Sequence, residues 1–187
     1  ADGSRTLTWT PANQLGSVTQ SGSDVSFSYG PDGSRVKKAW AFGTTLYAGA
    51  DVEIDATTAG SESYTLYPHP DIKITATASA QTAKFFLHRD HLSSVRTVTD
   101  EAGAETEKTA YVSYGEPTNQ AMVTKKGYIG ERFDAETGLM YLNARYYDPA
   151  FGRFIPQDDQ AGGPEPEANG ASSASRAEPQ AKPDAVR

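Results

Sequence analysis

The chain has 187 residues, roughly one domain's length, of which 37% are hydrophobic, and it carries a formal net charge of -7. That acidic balance argues against a nucleic-acid binder, which needs clustered Lys and Arg, and no apolar run reaches the roughly 18 residues of a membrane-spanning helix. Cysteine is absent, which removes disulfides, thiolate metal ligands and a thiol nucleophile together.

From the start, Ala1-Asp2-Gly3-Ser4-Arg5 lacks an apolar leader and reads as a cut point. Turn signals then recur at short intervals: Asp2-Gly3, Pro31-Asp32-Gly33, Asp100 to Gly103, Asp134 to Gly138 and Asp148-Pro149 to Gly152. Asp bonds its own backbone two residues on, Pro presets the turn entry, and Gly takes the left-handed position that closes the bend. Between these turns, Arg5 to Trp9, Asp24 to Tyr29, Arg35 to Phe42, Val52 to Thr57, Tyr64 to Tyr67, Ile72 to Thr77, Val95 to Thr99 and Lys108 to Tyr114 alternate or carry strand formers. None keeps a 3.6-residue period, so all are predicted strands of an all-β, antiparallel meander. The segments Trp9 to Leu15 and Tyr29 to Arg35 sit 20 residues apart with an aromatic, a turn and a long side chain in matching places, a hairpin's repeat.

Leu139 to Tyr147 reads as one strand with bulk on both faces, covered on one side by tyrosines and on the other by neighbouring chain. From Asp158 onward aromatics vanish and Ala, Gly, Pro, Ser and Glu dominate, a composition that buries too little apolar area to offset ordering. A disordered tail is predicted over 159–187.

Two stretches carry a family resemblance. The first is His88-Arg89-Asp90-His91-Leu92-Ser93-Ser94-Val95-Arg96, followed by Thr99-Asp100-Glu101-Ala102-Gly103 and Tyr111-Val112-Ser113-Tyr114-Gly115. The second runs Tyr128-Ile129-Gly130-Glu131-Arg132-Phe133-Asp134-Ala135-Glu136-Thr137-Gly138-Leu139-Met140-Tyr141-Leu142-Asn143-Ala144-Arg145-Tyr146-Tyr147-Asp148-Pro149, then Gly152-Arg153-Phe154. Together they resemble the RHS or YD-repeat proteins, specifically their RHS repeat-associated core segment. Tyr29 to Arg35, with Gly33 in its turn, looks like a degenerate repeat with Gly30 where the family often has Asp.

The resemblance implies an arc of a hollow, tyrosine-lined β-shell. Residues 1–84 would be degenerate hairpin repeats, 85–158 the core segment that caps one end, and 159–187 the tail. It further implies a bacterial, secreted or cell-surface setting, with the rest of the shell and an enclosed toxin polypeptide as partners. A second reading is a carbohydrate-binding or adhesion module in which Trp9 and Trp40 stack on sugar rings. A third is a self-cleaving core, since some members cut themselves by paired carboxylates. Asp158 is the one acid carried over, and the sequence Asp158-Asp159-Gln160-Ala161-Gly162 departs from the family's usual pattern, so cleavage is not expected here. The chain is accordingly expected not to be an enzyme.

Other chemistry-bearing residues have structural readings. His88 and His91 are three apart, but a strand-to-turn setting does not put both imidazoles on one face, and no metal or cofactor is expected. His69, between Pro68 and Pro70, has no nucleophile elbow to serve. Arg145 and Arg153 are expected to pair with turn carboxylates such as Asp148, and Glu131, Arg132 and Asp134 to play similar structural roles. An isolated arc would also leave unpaired sheet edges and so tend to associate.

Overall fold

The computed structural model describes residues 5–20, 22–119, 122 and 124–156. Eleven strands, β1 (Arg5–Trp9), β2 (Leu15–Gln20), β3 (Ser23–Tyr29), β4 (Arg35–Trp40), β5 (Gly43–Tyr47), β6 (Val52–Asp55), β7 (Ser63–His69), β8 (Ile72–Thr77), β9 (Gln81–Arg89), β10 (Val95–Thr99) and β11 (Glu105–Lys108), form one sheet. Each pairs with its sequence neighbours, so spatial order equals chain order. A second sheet holds β12 (Arg132–Asp134), β13 (Leu139–Leu142), β14 (Arg145–Asp148) and β15 (Arg153–Phe154), also in order. Among the described residues no helix is long and apolar enough to cross a membrane.

The turns close by the expected chemistry. Asp90 accepts hydrogen bonds from the amides of Leu92 and Ser94, Asp100 from those of Ala102 and Ala104, and Asp32 from that of Ser34. Gly33 and Gly103 hold φ of 79° and 81°, a conformation that only glycine adopts without strain.

Alternation puts Val25 and Phe27 of β3 on one face of the large sheet, opposite Trp40 and Lys38 of β4. The small sheet packs on that face. Leu15, Val18, Val25 and Phe27 meet Leu139, Tyr141, Tyr146 and Ile155 in one core, while Tyr67, Leu87, Val95 and Val98 form a second. Leu139 and Met140 are fully buried.

Several expectations are corrected. Residues 139–147 are a hairpin, not one strand: Asn143 takes φ of 60° and the chain reverses between Leu142 and Arg145. That reversal lets Tyr141 and Tyr146, opposed in register, both face the core. The strand placed at Lys108 to Tyr114 is instead Glu105–Lys108; the chain then leaves the sheet, and the Tyr111 hydroxyl donates to the Val95 carbonyl. The strand placed at Arg35 to Phe42 ends at Trp40, and Ala41-Phe42 form the turn that leads to β5. Strands β2, β5, β9, β12 and β15 had no sequence counterpart. The Asp2-Gly3 turn and the tail at 159–187 lie outside the described residues.

Candidate functional site

The two sheets are joined by buried charge. At the β3–β4 bulge, where Tyr29 opposes Arg35, the Arg35 side chain turns inward with 1% of its surface exposed. Its Nη1 donates to Asp134 Oδ2 at 2.5 Å and its Nη2 to Asp134 Oδ1 at 3.3 Å, a two-pronged contact that the planar guanidinium suits. The guanidinium carbon lies 4.6 Å from the Tyr47 ring centre and 4.4 Å from that of Tyr141. Nη2 also donates to the Tyr47 hydroxyl, and the Arg35 amide donates to the Tyr141 hydroxyl. Lys38, on the same face, donates to Asp134 Oδ1 at 3.0 Å and to Glu136 Oε2 at 2.8 Å. The Tyr29 hydroxyl donates to the Leu15 carbonyl and lies 3.0 Å from the Tyr146 hydroxyl.

Two cations thus face two carboxylates. Burial pushes the Asp134 carboxyl up, but the Arg35 guanidinium and Lys38 ammonium outweigh it and hold the group below the ordinary carboxylate range. For Lys38, burial works against the charged form, yet Asp134 and Glu136 beside it raise the ammonium above its usual value. Burial also pushes the phenols of Tyr29 and Tyr47 up to about 12. An acid fixed as an anion and an amine fixed as a cation neither give nor take protons near neutrality, so this arrangement holds the sheets together and is unsuited to acid–base chemistry.

Further pairs extend the seam. Arg5 meets Asp148 at 2.8 Å, Arg132 meets Glu53 at 2.7 Å, and Lys126 meets Asp51 at 2.9 Å. The segment after β11 crosses the same face: Thr124 N donates to Glu107 Oε2, Val95 N to the Gly127 carbonyl, and Ile129 N to Ser94 Oγ. Beneath it Lys73 is buried over the Phe85 ring, and burial holds its ammonium below the ordinary lysine value.

The structure brings Tyr29, Asp134, Tyr141 and Tyr146 of the family motif together around Arg35. Gly33 and Gly138 close the adjoining turns. Asp90 and Asp100 serve their own turns, with Gly103 beyond the second. His88 meets Thr99 Oγ1 at 3.0 Å, while His91 stands exposed at the β9–β10 turn. His69 lies 3.6 Å from Asp71 on the surface. Among the described residues no cluster of His, Cys, Asp or Glu is suited to a metal. Gly115 and Gly130, both at positive φ, receive the Tyr128 ring and the Arg89 guanidinium. Tyr147 donates to the Tyr114 carbonyl, and Gly152 lies under the Tyr114 ring. Asp158 lies outside the described residues.

One sequence expectation is corrected at this level, and the rings offered for a second are partly covered. Among the described residues Arg145 and Arg153 pair with no turn carboxylate but stack on Phe154 and Phe151, while Asp148 turns inward to Arg5. Trp9 and Trp40, offered as sugar platforms, are half-buried against the core. Trp40 lies on Gly43, where a β-carbon would come within 2.5 Å of its ring, with the Lys38 ammonium 5.0 Å from the ring centre. Sequence reading missed Arg35, Lys38, Tyr47 and Glu136 as one site. The available signal was two long cations in a strand otherwise facing a core.

Comparison with known proteins agrees with this architecture. Residues 71–164, 94 of the 187, match the Teneurin YD-shell family. The tRNA nuclease WapA of Bacillus subtilis (strain 168) is 31% identical over 176 residues, covering 87% of this chain and 7% of that protein. The double-stranded DNA deaminase toxin A of Burkholderia cenocepacia (strain H111) is 37% identical over 81 residues, 40% of this chain and 6% of the toxin. The crystal structure of TcdB2-TccC3 shares the fold at a TM-score of 0.69 and 20% identity, over 85% of this chain and 9% of that one. The chain therefore spans less than a tenth of the length of these relatives. An ordered meander carrying a small tyrosine-rich sheet on one face, matched over half its length, makes this chain a member of the Teneurin YD-shell family and a segment of a shell wall.

Proposed function

We propose that this wall segment, with its small sheet as a closing piece, encloses a toxin polypeptide joined to the shell and takes part in delivering it from a bacterium, as a secreted or cell-surface protein. The chain contributes no chemistry of its own; its partners are the remaining shell and the passenger. The observation that carries this reading is the lock of Arg35 and Lys38 onto Asp134 and Glu136, which seats the small sheet on one face of the large one. The names of the relatives, a tRNA nuclease and a DNA deaminase toxin, support a passenger of enzymatic kind.

The test uses the longer native polypeptide that contains this chain. Limited proteolysis should leave the downstream passenger intact while the shell is folded, and Asp134→Ala should speed its digestion. A passenger digested at the same rate in both proteins would overturn the proposal.

A further inference from the structure

At one side of the molecule the free edges of the two sheets meet: β1 ends the large sheet and β15 the small one. Between them lies a groove of about 510 Å³ lined by Leu7, Phe151, Arg153, Phe154 and Pro156 among others. Beside it the molecule exposes three aromatic side chains, Tyr114 at 58%, Phe151 at 50% and Phe154 at 43%. Their placement is built. Gly152, at φ of 65°, lets the Tyr114 ring lie where a β-carbon would come within 2.7 Å of it. The Tyr147 hydroxyl fixes the Tyr114 carbonyl at 3.0 Å, and the Tyr147 and Phe154 rings meet edge-on at 5.5 Å. Arg145 and Arg153 stack on Phe154 and Phe151 at 4.0 and 5.2 Å, and among the described residues neither has a carboxylate partner.

We propose that this platform docks an extended acidic polypeptide and that its occupant is residues 157–167 of this chain. Stacked guanidiniums left without carboxylates, beside rings half in water, offer contact area and positive charge together. The chain runs straight into the groove through Phe154, Ile155 and Pro156. The next eleven residues carry Asp158, Asp159, Glu165 and Glu167, with no Lys or Arg. Eleven residues reach at most about 40 Å when extended, enough to cross the platform. The inference rests on the enclosing-shell reading and adds where the polypeptide leaving the wall is first held.

The full chain tests it. Tyr114→p-benzoylphenylalanine places a photoreactive ketone on the platform, far in sequence from the occupant, and the same replacement at Phe42, 83% exposed on the β4–β5 turn, is the control. Irradiation and chymotrypsin, whose cut after Phe154 none of the charge variants touches, should join Tyr114 to fragment 155–187 within one chain, and Phe42 should give no such product. Arg145→Glu with Arg153→Glu should abolish the product, as should 1 M salt, where screening acts over about 3 Å. Exchanging the four acids for Lys in that double variant should restore it. If the Tyr114 variant does not melt cooperatively, the same readings are taken with the ketone at Phe151. A product that persists through charge reversal and salt reports tethering alone and overturns the proposal, as do links only elsewhere or only between chains. Passenger protection in the longer polypeptide is unaffected by that outcome, so the two readings fail separately.

Discussion

Arg35 leaves water almost completely, and each part of its environment answers that loss: Asp134 the charge, Tyr47 and Tyr141 the two faces of the guanidinium. A buried ion pair stabilises modestly as a pair, but removing one partner leaves an uncompensated charge at a cost of about 3–5 kcal/mol. Asp134→Asn should therefore lower unfolding free energy by about that much in urea titrations, whereas a joint change of Arg35, Lys38 and Asp134 to Met, Met and Leu should lose far less. Equal losses in the two variants would contradict the account. The pH dependence follows from the same groups. The Asp134 carboxyl is depressed on folding, so its stabilisation is complete above the ordinary value of 3.8 and is lost as pH falls through the lower folded value. The Tyr29 and Tyr47 phenols are raised, so their neutral forms stabilise fully below 10.0 and lose that contribution as pH climbs toward about 12. Melting temperature should stay nearly level between about pH 5 and 9 and drop above 10; a decline already under way at neutrality would be inconsistent with it.

The β13–β14 hairpin shows how far local sequence reaches. Where Asp and Gly mark a turn, as at Asp32-Gly33 and Asp100 to Gly103, the bend was readable because the side chain and the left-handed residue supply the closure. Asn143-Ala144 has no glycine, and bulk on both flanks made one long strand look self-consistent. Strand β5, Gly-Thr-Thr-Leu-Tyr, gave too little hydrophobic contrast to register. The candidate site was half legible for a related reason: its tyrosines and Asp134 lie in a dense motif, but Arg35 is 99 residues away, a pairing that no local pattern encodes. The turn itself is testable. Asn143→Val forces a β-branched residue to φ of 60° and should destabilise by about 1–3 kcal/mol, while Asn143→Gly should be neutral or better. Thermal melts giving the two variants the same midpoint would remove the argument.

For the whole molecule the ordered meander leaves two terminal edges. The β11 edge carries Glu105, Glu107 and Lys108, charges that discourage pairing with another chain. The β1 edge has Arg5 and then Thr6, Leu7 and Thr8, which discourage it less. The isolated chain should associate as concentration rises, and Thr6→Lys with Thr8→Lys should shift it toward monomer in light scattering. Monodisperse wild-type monomer across the range would show that this edge is protected in another way.

Spatial order that follows chain order also sets a timetable. On a ribosome each strand of the large sheet has its partner as soon as the next strand emerges, so the wall can assemble in step with synthesis. The lock cannot: Arg35 waits for Asp134, 99 residues later, which at 5–20 residues per second is about 5–20 s. During that interval the nascent sheet keeps a cation on an uncovered face, and that face is closed only when the small sheet arrives.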